Sequence, residues 1–261
     1  GFTREVVTYD GAAKVSSTVN DPWSKRTATQ HKSYADTEAY FVRTGASHAH
    51  TVISSSGTAT DRVRTTATTF DAYGMPDTVE DKGDDAVSGD EKCTRTWYAR
   101  NDALGINSLV SRTRIVAKSC SVTDASLDLP ADSTRPGDVI SDKATAFDTT
   151  TWSATQKPTT GEAQWTGRAK GYATDDSPVW QKVGTTAYDT LGRPTDLTDT
   201  NGMTVSHTDY VPVAAGPLTS TTVTNAKGFK TVTAKDFALG VDLKVTDANN
   251  KVTETSYDSL G

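Results

Sequence analysis

Residues Thr185 to Tyr210 read TTAYDTLGRPTDLTDTNGMTVSHTDY, which parses as strand, turn, strand, turn. In Tyr188-Asp189-Thr190-Leu191-Gly192 the Asp carboxylate is placed to accept backbone N–H groups, and Gly192 can take a positive φ without a Cβ clash. Arg193 to Thr198 is then a strand-length run. Asp199-Thr200-Asn201-Gly202 repeats the turn chemistry ten positions after Asp189, now with an Asn-Gly pair. Met203 to Tyr210 follows as a second strand, with Met203, Val205 and His207 on one face and Thr204, Ser206 and Thr208 on the other.

The pattern recurs along the chain. Tyr257-Asp258-Ser259-Leu260-Gly261 copies the first turn, and Asp236-Phe237-Ala238-Leu239-Gly240 copies it with the aromatic and the Asp exchanged. Asn225 to Gly228 and Asp247 to Asn250 fall between these, as Asp199 to Gly202 does. The anchors Tyr188, Tyr210, Asp236 and Tyr257 lie 22, 26 and 21 positions apart, the longest step absorbing an insertion at Pro212 to Pro217. Upstream, Phe70-Asp71-Ala72-Tyr73-Gly74-Met75 aligns residue for residue with Tyr188 to Arg193, and Tyr9-Asp10 and Phe147-Asp148 are shortened copies. Tyr9 to Phe70 is 61 positions, which predicts about three units, and Phe147 to Tyr188 is 41, which predicts about two.

A Tyr-Asp-x-x-Gly-Arg motif at a period near twenty resembles the YD repeat of the Rhs family, carried by secreted bacterial polymorphic toxins and by the animal teneurins. The spacing is regular over 185–261 and broken by insertions over 1–180. The resemblance implies an all-β chain of stacked antiparallel hairpins forming a curved sheet, part of a spiral shell. The expected organisation is a degenerate repeat region over 1–180 and regular repeats over 181–261. A start at Gly1-Phe2-Thr3-Arg4 and an end inside a repeat at Gly261 read as a fragment of a longer protein.

Composition agrees with a polar β-protein. The chain of 261 residues is 34% hydrophobic, about 41% with its 19 glycines, against roughly 45–50% for globular domains. Its Thr, Val and Tyr favour strands. A formal charge of −6 with Lys and Arg scattered singly argues against a nucleic-acid or anionic-membrane partner. No run of 18 apolar residues exists, so no membrane span is expected.

In chain order, Lys14 to Val19 reads as a strand ending in a turn at Asn20-Asp21-Pro22, and residues 24–50 are less regular apart from a strand around His48 to Ile53. Loops are expected at 54–60, 81–92 and 127–138. No helix of any length is expected.

The chemistry-bearing residues all have structural readings. His48 and His50 share a strand face, as zinc ligands do, but only His31 and His207 remain to complete a site. The acidic loop from Asp81 to Asp90 lacks the ligand order of a calcium loop. No Gly-x-Ser-x-Gly, His-Glu-x-x-His or phosphate-binding loop occurs, so no catalytic, metal or cofactor residue is assigned. Arg193, Trp97, Tyr98, Trp152, Trp165 and Trp180 suit either sugar stacking or inter-hairpin packing, and packing is the expectation.

Taken with the resemblance, these observations imply a non-enzymatic shell segment of a secreted or cell-wall-associated Rhs-type toxin. Its partner would be a C-terminal toxin domain of the same full-length protein. The alternative is a cell-surface adhesion or carbohydrate-binding module with glycan partners, and a weaker third is a polysaccharide hydrolase. An exported chain with only two cysteines is expected to join Cys93 to Cys120, closing a loop worth about 3–4 kcal/mol of unfolded-state entropy.

Overall fold

The structure, a computed structural model, describes residues 1–55, 58–132 and 137–258. It is all-β, 58% strand and 2% helix, and forms one open antiparallel sheet of 16 strands paired in sequence order. The strands are β1 Glu5–Asp10, β2 Ala13–Gln30, β3 Thr37–Ser55, β4 Thr58–Phe70, β5 Pro76–Asp81, β6 Lys92–Asn101, β7 Ile106–Val116 and β8 Val139–Phe147. They continue with β9 Ala163–Tyr172, β10 Pro178–Tyr188, β11 Pro194–Thr198, β12 Thr204–Val211, β13 Ser220–Asn225, β14 Lys230–Lys235, β15 Asp242–Thr246 and β16 Val252–Glu254. Gly261, the last residue of the final motif copy, lies outside the described residues.

One turn recurs at five hairpins. At Asp71, Asp189, Asp199, Asn225 and Asp247 a side-chain oxygen accepts the N–H groups of the second and fourth residues beyond it: Tyr73 and Met75, Leu191 and Arg193, Asn201 and Met203, Lys227 and Phe229, Asn249 and Lys251. In each, the third residue beyond donates its N–H to the first residue's carbonyl and has a positive φ. That residue is Gly74, Gly192, Gly202, Gly228 or, at φ 61°, Asn250. The two turn types distinguished in the sequence are therefore one turn, preceded by an aromatic at Phe70 and Tyr188 and by Thr at Thr198, Thr224 and Thr246. Asp236 forms a variant one residue longer, closed by Gly240.

Phe147-Asp148 is the same turn opened. Asp148 donates its N–H to the carbonyl of Glu162 and accepts the N–H of Glu162 and Thr160, while Gly161 supplies the positive φ of 81°. Asp148 to Glu162 spans 14 positions where Asp189 to Arg193 spans four, so ten residues are inserted while the backbone bond to the closing residue and the carboxylate's hold on its N–H are kept.

Two counts differ from the spacing. Three long strands, β2, β3 and β4, occupy the interval from Tyr9 to Phe70 instead of three units, and Tyr9-Asp10 closes a two-residue loop at Gly11-Ala12. The interval from Phe147 to Tyr188 holds one hairpin, β9 and β10, plus the insertion. The turn expected at Asn20 to Pro22 is a register shift inside the unbroken β2, with a second between Arg26 and Ala28. Such shifts flip the in–out alternation, which is why 24–50 lacked a readable period.

The chain divides into two compact units, residues 1–98, 112–143 and 169–179 in one and 99–111, 144–168 and 180–261 in the other. The first buries Cys93, Val116 and Tyr172; the second buries Ala99, Ala144, Ala146, Phe147 and Trp165. Cys93 at the start of β6 is bonded to Cys120 beyond β7, with Cα atoms 4.9 Å apart, as expected from the cysteine count. Gly192→Ala forces an L side chain to φ 74° and should cost about 1–2 kcal/mol in a urea melt, whereas Gly192→Asn, which copies Asn250, should cost less than half as much.

Candidate functional site

The motif residues come together along the strand ends. Tyr210 at the end of β12 donates its hydroxyl to the carbonyl of Pro194, the first residue of the neighbouring β11, at 2.7 Å. Tyr98 does the same to Pro76 of β5 at 2.8 Å, Tyr257 to Asp242 of β15 at 3.1 Å and Tyr188 to Ala163 of β9 at 3.3 Å. These tyrosines, three of them motif anchors, thus tie β6, β10, β12 and the residues after β16 to the first residue of the strand before. This role leaves no trace in spacing, because the acceptor is a backbone carbonyl.

Arg193 is the most connected of them. Its Nε pairs with Asp189 at 2.6 Å, its two terminal nitrogens donate to the carbonyls of Pro212 and Val213, and its guanidinium lies 4.5 Å from the Tyr210 ring centre. Partial burial works to raise the Asp189 carboxyl, but the Arg193 N–H, its guanidinium and the Leu191 N–H outweigh it and hold the group below the usual carboxylate range. Arg193 therefore pins the 212–217 insertion onto the hairpin.

A buried charged cluster that the sequence did not point to lies across β7, β8 and β9. Arg112 makes a two-pronged pair with Asp142, 2.9 and 2.5 Å, and Tyr172 donates its hydroxyl to the same carboxylate at 2.7 Å. The Asp142 side chain is fully buried. Desolvation opposes the charge on Arg112, but the Asp142 carboxylate more than offsets it and raises the guanidinium. Burial, then the bond to Asp142, pushes the Tyr172 hydroxyl well up. Arg112 and Arg114 lie 4.5 and 5.3 Å from the Trp97 ring centre, and Arg114 and Arg95 share Asp124. Partners such as Arg112 and Asp142 stand 30 positions apart, beyond any local pattern.

The aromatics named in the sequence pack. Trp152 and Trp165 meet Trp180 edge-on at 5.1 and 6.4 Å, Trp165 is buried against Ala144 and Ala146, and Trp152 donates to the Ser111 carbonyl. The Trp165 ring also covers Gly167, leaving no room there for a Cβ.

The histidines are held by carboxylates. His48 contacts Asp21 at 3.1 Å and the Thr65 hydroxyl at 2.9 Å, His50 contacts Asp61, and His207 lies between Asp196 and Asp209 at 2.7 and 3.2 Å. Those two bonds, Asp196 first, raise the His207 imidazole above its ordinary value. Among the described residues, no three His, Cys, Asp or Glu are grouped to hold a metal ion. In the acidic loop Asp81 accepts the Gly83 N–H, Asp90 the Asp84 N–H and Glu91 the Gly89 N–H. A cleft of about 430 Å³ there is lined by both signs of charge, with Arg62 paired to Asp84 and Arg64 to Asp81. Compared with known proteins, the chain matches no family model and no curated protein.

Removing one partner of a buried ion pair strands the other charge, so Asp142→Ala should cost about 3–5 kcal/mol in a denaturant melt. Arg112→Met combined with Asp142→Leu should recover much of that loss. Asp148 offers a pH test. Desolvation works to raise its carboxyl, but the Thr160 hydroxyl and the N–H groups of Thr160, Thr159 and Glu162 hold it far below the usual range. A depressed folded value contributes stability above the unfolded pKa, about 3.9, and loses it as pH falls below that toward the folded value. The advantage of the natural protein over Asp148→Asn should therefore shrink as melts are run from about pH 6 to about pH 2.

Proposed function

We propose that this chain is a non-enzymatic structural segment of a secreted or wall-associated Rhs-type toxin shell, one that encloses or delivers a toxin domain carried elsewhere in the same protein. The observation that carries this reading is the single turn repeated at five hairpins and reused, opened, at Asp148, which builds a long sheet one local step at a time. The Cys93–Cys120 bond fits an oxidising setting, and no helix among the described residues is long and apolar enough to cross a membrane. The ionisable groups singled out in the sequence are engaged in turns and ion pairs, which supports a scaffold role. The adhesion alternative has weaker support, because Trp152, Trp165 and Trp180 pack on one another and Trp97 lies against two guanidiniums.

The test uses the full-length protein. Limited proteolysis should leave a C-terminal segment protected while the sheet is intact and digested once the sheet is denatured, and that segment expressed alone should arrest bacterial growth. A full-length protein with no protected or growth-arresting segment would overturn the proposal.

A further inference from the structure

The β2–β3 hairpin runs well past both of its neighbours. β1 pairs with β2 only as far as Val19, and β4 pairs with β3 only from Ala46 onward, while β2 and β3 pair with each other out to Gln30 and Thr37. Residues 22–45 therefore form a two-stranded arm whose backbone ladder serves only itself. Its base is seated by Trp23, stacked on Phe70 at 4.5 Å, and by Lys25, which donates to the Ala72 carbonyl. Phe41 also lies over Gly74 of the neighbouring turn, while the tip beyond is open, with Tyr34 79% and Tyr40 53% exposed. Isolated two-stranded ribbons are marginal in water, so an arm of this length gains from a surface to lie on.

Its charge says which kind of surface. The arm carries Lys25, Arg26, Lys32 and Arg43 against Asp36 and Glu38, a formal +2 in a chain of −6, leaving −8 on the remainder. Both acids are used inside the arm: Glu38 pairs with Arg26 and accepts from the Tyr40 hydroxyl, and Asp36 bonds His31. Lys25, Lys32 and Arg43 have no carboxylate partner among the described residues. Lys32 sits only near the Tyr34 ring and Arg43 over the Phe41 ring. The complement lies in the segment 84–91, which has four acids and no cation. Arg62 neutralises Asp84, while Asp85, Asp90 and Glu91 accept only the Thr65 hydroxyl and the N–H groups of Asp84 and Gly89.

We propose that the arm is a docking element for a second copy of this chain, laid against the acidic 84–91 segment of that copy. One copy offers three unmatched cations on an exposed ribbon, and the other offers three unmatched carboxylates, so like-with-like docking is disfavoured and arm-to-loop docking selected. The proposal does not depend on the shell reading.

Sedimentation velocity of the 261-residue chain tests it. Self-association is expected at about 0.01 M salt, where charges act over about 30 Å, and should weaken by roughly tenfold or more at about 1 M, where the range is about 3 Å. The double variant Lys32→Glu with Arg43→Glu and the double variant Asp90→Lys with Glu91→Lys should each be monomeric alone and associate when mixed. Circular dichroism of each variant checks the sheet, and Lys32→Gln, at an exposed position, gives a smaller loss in the same direction. A chain that is monomeric at low salt overturns the proposal. So does association that survives the arm reversal, which would assign contact to the sheet edges, or a mixture of the two variants that stays monomeric.

Discussion

Five hairpins of this fold depend on one carboxylate or carboxamide oxygen holding two backbone N–H groups at the head. The residue three positions on must enter the left-handed region, and once it does the chain has reversed within five residues. Because side chains alternate along a strand, a reversal of fixed length also fixes which residues face which side. The register of β11 on β10, of β14 on β13 and of β16 on β15 is thus set locally, with no long-range contact needed to choose it.

This matters because the sheet has little else to lean on. Few apolar side chains are buried among the described residues, and Val183, Val211, Val232 and Val252 remain 39–50% exposed. Apolar burial is the dominant folding force in most domains, so a sheet that buries so little must draw more of its order from turns, from cross-strand pairs and from polar ties. The tyrosine hydroxyls at strand ends, Arg193 over Tyr210, and Asp142 between Arg112 and Tyr172 supply those ties. The bridge from Cys93 to Cys120 adds a covalent one next to the Arg95–Asp124 pair.

What could be read from the sequence follows the range of each interaction. Asp189 with Gly192, and Asp199 with Gly202, act within four residues, and their spacing displayed the turn directly. The cysteine pair was legible because two residues admit one pairing. The register shifts in β2 were hidden, since Pro22 reads as a turn residue and only the pairing of Pro22 with Thr44 makes it part of a strand. The partners of Arg112 and Tyr172 are 30 residues away, and the tyrosine hydroxyls bond backbone carbonyls, which every residue has. Local hydrogen bonding writes itself into sequence, whereas tertiary polar contacts do so only through homologues.

The opened turn at Asp148 shows how such a scaffold can diversify. Its carboxylate holds the N–H groups of Thr160 and Glu162, one on each oxygen, where a single oxygen of Asp189 holds those of Leu191 and Arg193, and the ten extra residues lie between. Loop-closure entropy grows only slowly with length, about 0.6 kcal/mol per doubling, so a lengthened crossover costs little once its two ends are clamped. Each hairpin head is in this sense a socket. A foreign peptide grafted between an Asp and the Gly that follows it would inherit a closed base and leave the neighbouring strands in place, giving natural drift and protein engineers the same point of entry.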